Sequence, residues 1–439
     1  MGGNNLVYLA ISICVLFFIL GIFLEKRKIN ALTLFSGLWG IILFLSSIHL
    51  FNLKTATDNT YLLFAIGIFS FGIGYIFFRY FFLKKDMNKN ENKSYSVRYK
   101  IIYVLSVIAI AFYLKDLFLI IGDIIDGKSL AYIRLLAQDT NSILYTSRSN
   151  IENYIRMVLV LPFVMALQPI VAIDFILGRR NKKIFILNIV ILILRSLTDG
   201  SRVMFIYFAI HLVLAFLYSK NYNYKDLVKK NKNKILIFLL LIVGVFLVYK
   251  TTMSRSGDSA FKSTYYYYSM EPYMFEVWKD KVDEQKSLGF GLASSNGYVF
   301  PTIFTIKNAL GLENYPEKWY ENIYLLINDT DKDWQIIAGR KTEANAYVSL
   351  FWFFYLDGKV LGIILGDILY ALILAYAYSK LELNKSGRNL CIYFLLLQGI
   401  IFSYVRFQFA NETYALSFLF VLLMYKKDKY KGCKNEKRK

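Results

Sequence analysis

The chain has 439 residues, 56% of them hydrophobic, with a mean hydropathy of +0.43. Apolar runs of roughly 20 residues, the length a bilayer core of about 30 Å demands, recur along it and exclude an ordinary soluble globule. The net charge of +21 argues against a nucleic-acid partner once its distribution is seen, because Lys and Arg cluster in short connectors between apolar runs and after Met424, as the positive-inside rule requires.

The first apolar run, 6–24, has no basic stretch before it and no small-x-small cleavage site after it, so it reads as a retained span and not a signal peptide. Further runs follow at 32–51, 61–83, 101–121, 154–177, 184–197, 203–218 and 235–249, and then at 360–378, 390–405 and 414–425. None shows the alternation of a barrel strand, so the expected fold is an all-α polytopic membrane protein of about eleven transmembrane helices.

The connectors orient these spans. Lys26-Arg27-Lys28, the stretches 84–100 and 220–234, Arg179-Arg180-Asn181-Lys182-Lys183, 380–388 and the tail 426–439 are all basic. They fall on one side if the N-terminus lies outside and the C-terminus is cytoplasmic. The predicted organisation is helices one to eight in 1–250, an outer loop cap in 251–343, a re-entrant or interfacial helix in 344–359, helices nine to eleven in 360–425, and a basic tail. The segment 344–356 is apolar but, at roughly 13 residues, short for a span.

The cap segment 251–343 is too long for an ordinary connection, and long loops are functional or disordered. Its aromatic content, from Tyr265-Tyr266-Tyr267-Tyr268 through Trp278, Trp319 and Tyr324 to Trp334, predicts a folded unit, since disordered segments are poor in such residues. Cys14, Cys391 and Cys433 all lie outside it, so it has neither a disulfide nor a cysteine metal site. Asp329, Asp331 and Asp333 imitate the start of a calcium loop, but Trp334 and Arg340 stand where its glycine and closing glutamate belong, and no metal is expected.

Chemistry is sought where charge meets the membrane. The sixth run spans only about 14 residues, or about 21 Å, which predicts a recessed tip at Arg195-Ser196-Leu197-Thr198-Asp199-Gly200-Ser201-Arg202. Arg195 suits an i, i+4 pair with Asp199; Arg202 either snorkels to the headgroups or faces the phosphates of a lipid carrier, where a forked donor fits a pyrophosphate. Arg255 with Asp258, and Arg340 with Glu343, mark the two edges of the cap. Sugar transfer needs a base for the acceptor hydroxyl and stabilisation of the leaving group, with Asp258, Glu271, Glu343 and Asp357 as candidate bases. His211, in mid-membrane, reads as a core group.

In architecture, and in two short motifs, the chain resembles bacterial oligosaccharide repeat-unit polymerases of the Wzy type. Gly200-Ser201-Arg202 opens the seventh span as a glycine-serine-arginine turn does in that family. Asn345-Ala346-Tyr347 through Tyr355-Leu356-Asp357-Gly358 to Gly362 is similar to its asparagine-led aromatic helix. The resemblance implies a glycosyltransferase that joins undecaprenyl-pyrophosphate-linked oligosaccharides into O-antigen or capsular polysaccharide, without metal or cofactor. A chain-length regulator and a flippase would be its partners. Arg202, Arg255 and Arg340 would hold the pyrophosphates, Glu343 or Asp258 would assist deprotonation, cap aromatics including Trp319 and Trp334 would grip the glycan, and Asn345 and Asp357 would also bind substrate. The competing readings are a flippase or other transporter, which would bury charges such as Lys115, Asp116 and Arg195 along its path, a ligase, which usually has a histidine in the large loop where this chain has none, and a polymerase of peptidoglycan type.

Overall fold

The computed structural model describes residues 5–86, 94–139, 141–219, 260–286, 288–310 and 318–428. The expected eighth span, and Arg255 and Asp258 beyond it, lie outside them. Four long apolar helices come first: α1 (Asn5–Leu24), α2 (Ala31–Ile48), α3 (Asp58–Asp86) and α4 (Tyr99–Ile125). Short helices α5 (Leu130–Gln138), α6 (Ile143–Thr146) and α7 (Asn150–Ile155) follow, and α7 continues through a π-turn, Arg156–Val160, into α8 (Leu161–Ile176). The first half ends with α9 (Lys182–Asp199) and α10 (Val203–Ser219).

The expected cap segment is folded where it is described. It forms α11 (Ala260–Ser269), α12 (Glu271–Gln285), α13 (Asn296–Leu310) and α14 (Lys318–Lys332), then a hairpin of β2 (Gln335–Ala338) and β3 (Thr342–Ala344). Helices α15 (Ser349–Leu383), α16 (Gly387–Ile401) and α17 (Glu412–Met424) complete the bundle. Among the described residues six helical stretches are long and apolar enough to cross a bilayer: those of α1, α2, α3, α4, α7–α8 and α15. The described fold is therefore all-α with almost no sheet, and compatible with a membrane.

Burial follows from composition around each helix. α8 is apolar on every face, and nearly all of it is buried at the centre, as a helix without a polar stripe must be. α1, α3 and α15 instead turn Leu16, Phe23, Phe69, Phe77, Leu361 and Leu365 outward, a surface that suits lipid and not water.

The basic connectors that are described meet at one end of the bundle. There Arg79 of α3 binds both Glu25, at 2.8 Å, and Glu382. Tyr218 donates to the Ile29 carbonyl at 2.8 Å, and Tyr99 donates to Asp174 at 2.6 Å. A two-stranded sheet of β1 (Tyr95–Val97) and β4 (Tyr425–Lys427) joins the α3–α4 connector to the start of the tail.

α15 is a hairpin of two helical arms and not one rod. Residues 354 and 366 would stand about 18 Å apart on a straight helix rising about 1.5 Å per residue. Instead a Cβ at Gly362 or Gly366 would strike Phe354, and one at Gly67 of α3 would meet both the Phe351 ring and Asp367, at 2.8 Å from its Oδ2. The reversal lies at Gly358 and Lys359, the latter at φ 54°. Only glycines at 362 and 366 let the arms approach this closely. The expected short aromatic helix ending at Asp357-Gly358 is thus the first arm, buried along its whole length.

α9 has 18 residues where the apolar run has about 14, so it rises about 27 Å, longer than the run predicts and slightly short of a core of about 30 Å. The Asn181 side chain accepts from the Lys183 and Ile184 amides and starts the helix ahead of the apolar run. Pairing of Arg195 with Asp199 lets it continue to Gly200.

Candidate functional site

At the end opposite the basic connectors, five charged side chains interlock. Arg195 Nε lies 3.1 Å from Asp199 Oδ2, the expected i, i+4 pair. The other oxygen of Asp199 accepts from Arg156 at 2.8 Å. Asp116 of α4 takes Arg148 at 2.6 Å, and its second oxygen stands 3.7 Å from Arg156 Nε, beyond hydrogen-bond reach. Three guanidiniums against two carboxylates leave one positive charge. Arg195 Nη1, Arg156 Nε and Asp116 Oδ2 keep unused hydrogen-bonding capacity.

Local structure explains why these groups converge. α7 is closed by a capping box in which Ser149 and Glu152 satisfy each other's backbone amides, and Glu152 also accepts from Lys115 at 2.6 Å. The π-turn after α7 starts at Arg156, and such turns are frequent at functional sites. Gly200 ends α9 at φ +56°, and a Cβ there would strike the Leu130 carbonyl and come within 2.6 Å of the Arg134 amide. Glycine therefore lets α5 sit on the turn that bears Asp199 and Arg202.

Beside this cluster opens a cleft of about 320 Å³. Arg148, Arg156, Asn153 and Glu412 line it together with the aromatic rings of Tyr145, Tyr154, Phe300, Phe304 and Tyr324. In this aromatic wall Phe300 stacks on Tyr324 at 4.6 Å with nearly parallel rings, and Tyr154 stacks on Phe304 at 6.0 Å. Burial pushes the Tyr324 phenol above its ordinary pKa, with Glu412 and Tyr145 acting in the same direction. Near the cleft Arg406 pairs with Asp331 of α14; burial opposes its charge, but the pair outweighs burial and holds the guanidinium ionised. Forked cationic donors beside flat apolar faces suit a ligand that joins an anionic group to rings.

The sequence-predicted residues are dispersed. Arg202 is half-buried at the entry to α10, where its carbonyl accepts from Phe205 and Ile206, one turn from Asp199. Arg340 and Glu343 are exposed on the β2–β3 hairpin, which is bonded to the α2–α3 connector through the Lys54 amide and the Ile337 carbonyl at 2.9 Å. Asn345 donates to the Asp331 carbonyl. Trp334 is 61% exposed and Trp319 is 42% exposed, with its indole N–H on the Leu288 carbonyl at 3.2 Å. Asp357 accepts from the Ala293 and Ser294 amides at 2.8 and 2.9 Å, which commits its carboxylate to holding a turn.

The buried tryptophans serve the core, with Trp278 and Trp352 meeting edge to face at 6.3 Å. His211 is fully buried near Phe394. Asp331 and Asp333 pair with Arg406 and Lys281, and among the described residues no group of three or more His, Cys, Asp or Glu side chains is placed to hold a metal ion.

Sequence reasoning missed Arg148, Arg156 and Glu412. A usable signal existed for the first two, since Arg148 and Arg156 bracket a capped helix entering an apolar run that faces Asp116 in mid-helix. Glu412 opens an apolar helix, an ordinary place for an acid, and nothing local distinguishes it. No protein-family model, curated protein or solved structure matches this chain.

Proposed function

We propose that the chain is a glycosyltransferase of the bacterial cytoplasmic membrane that polymerises lipid-linked oligosaccharides into O-antigen or capsular-type polysaccharide. About eleven spans would hold the basic connectors in the cytoplasm, with the N-terminus outside. The segment 251–343 would then cap the outer face, and the first arm of α15 would be a re-entrant helix. The growing glycan leaves its undecaprenyl pyrophosphate and joins a hydroxyl of the incoming repeat.

One observation supports this reading above the others: the Arg148–Arg156 cleft with its stacked aromatic pairs lies at the end away from the basic connectors, under helices of the long segment. A guanidinium pair is suited to a pyrophosphate leaving group, and parallel aromatic faces are suited to sugar rings. In this reading Arg202 stands at the rim, and Arg340, Glu343, Trp319 and Trp334 form an outer surface for the emerging glycan.

The test is polysaccharide banding from a strain deleted for the gene and complemented with Arg156→Ala. Single repeats, with normal protein in the membrane, are expected. Full ladders from that variant would remove the cleft from the site, and purified wild-type protein that never extends lipid-linked repeats would end the reading.

A transporter reading draws on Asp367 of α15, fully buried with neither carboxylate oxygen hydrogen-bonded. Intramembrane acids of this kind mark ion pathways in transporters. Flux of lipid-linked repeats without glycan extension in vesicles would favour it.

A further inference from the structure

We propose that Glu412 is the general base of the transfer, an inference that rests on the polymerase reading above. Three relationships place its carboxylate. It lines the same cleft as Arg148 and Arg156, it acts electrostatically on the Tyr324 phenol in the aromatic wall, and it acts electrostatically on Arg406. Among the described residues it forms no salt bridge, whereas Asp116 and Asp199 are both spent on guanidiniums.

It is the one carboxylate lining this cleft among the described residues. The acids favoured by sequence lie elsewhere: Glu343 is exposed on the hairpin, and Asp357 is held by two backbone amides.

A cleft lined by guanidiniums and by a carboxylate outside any salt bridge among the described residues offers a partner for each of the two charges the reaction creates. The acceptor sugar hydroxyl gives its proton to a Glu412 carboxylate oxygen as its own oxygen bonds to the anomeric carbon of the donor. The bond from that carbon to the pyrophosphate oxygen breaks, and its electron pair leaves on the pyrophosphate, whose charge meets Arg148 and Arg156. The proton stays on Glu412 until product leaves, and no oxidant, metal or second acid enters the balance. Asn411 fixes the carboxylate's origin by accepting from the Tyr414 amide at 3.2 Å, which starts α17 with Glu412 in its first turn.

The experiment uses full-length protein in nanodiscs and lipid-linked repeats extracted from a strain lacking polymerase, with extension and donor binding read separately. Glu412→Gln is expected to lose extension by about 100-fold or more, the usual share of a general base, with donor binding retained. Glu412→Asp should keep part of the rate, and added formate should restore part of it to Glu412→Gly, a rescue that a merely structural carboxylate would not show. Normal extension by Glu412→Gln overturns the assignment, as does a loss that formate leaves untouched. Wild-type protein that binds repeats but never extends them instead sinks the polymerase reading itself.

Discussion

Arg156, the first residue of the π-turn, and Asp199, the last of α9, hold each other at 2.8 Å across two segments 43 residues apart in sequence. Both are largely buried, and Asp199 is shared with Arg195. Removing one partner of a buried pair costs far more than the pair contributes, because a charge is left uncompensated. Asp199→Ala strands two guanidiniums, so a loss of about 3 kcal/mol is expected, measurable as a lower unfolding temperature in detergent. The double variant Asp199→Ala, Arg156→Ala should recover part of that loss. If the single and double variants melt together, the coupling is absent.

The turn that follows depends on one residue. Gly200 sits in the left-handed region, and a Cβ there would run into the backbone of α5 at Leu130 and Arg134. Gly200→Ala should therefore cost about 1 to 2 kcal/mol from backbone conformation alone, with displacement of α5 added to it. Protease accessibility between Asp126 and Ser142 should rise in this variant. Unchanged cleavage and melting would show that α5 does not rest on the turn.

Much of the bundle was legible in the sequence because lipid imposes one rule that composition reveals. Residues 6–24, 61–83 and 101–121 read as spans, and α1, α3 and α4 cover them. The length of α9 was misjudged because Lys182, Lys183, Arg195 and Asp199 were read as boundaries, whereas an Asn cap and an ion pair make charged residues good helix. The hairpin of α15 was partly legible: the Asp357-Gly358 turn was visible, but the fit of Gly362 and Gly366 against Phe354 was not. The cleft was the least legible part. Its members come from α5–α8, α13, α14 and α17, and no local pattern in any one of them announces the others.

The reversal in α15 is pinned from outside by Asp283 of α12. Its carboxylate binds the Lys359 ammonium, accepts from the Tyr355 hydroxyl at 2.9 Å and lies 3.3 Å from Lys279. Burial alone would raise its pKa, but these partners outweigh burial and hold it below the ordinary carboxylate value. A depressed folded pKa gives stability that is present above the unfolded value, about 3.9, and lost as pH falls through the folded one. The melting difference between wild type and Asp283→Asn should be constant at neutral pH and shrink below about pH 4. A difference that grows in acid would mean the sign is wrong.

Glu271 at the start of α12 predicts the opposite slope. Its carboxyl is fully buried, with no hydrogen bond of good geometry to either oxygen, and only the Ser349 hydroxyl acts against the burial that pushes its pKa well above the usual range. The folded state therefore binds a proton that the unfolded chain releases near pH 4.3, and stability must fall as pH rises from about there towards the folded pKa. Glu271→Gln keeps the shape of the neutral acid and removes the titration, so its melting temperature should match wild type in acid and exceed it at pH 8. Parallel profiles for the two proteins would mean that Glu271 is ionised in the fold, with a partner supplied by water or ligand. Such a partner would be required, since a buried charge left without one costs far more than a glutamine in its place.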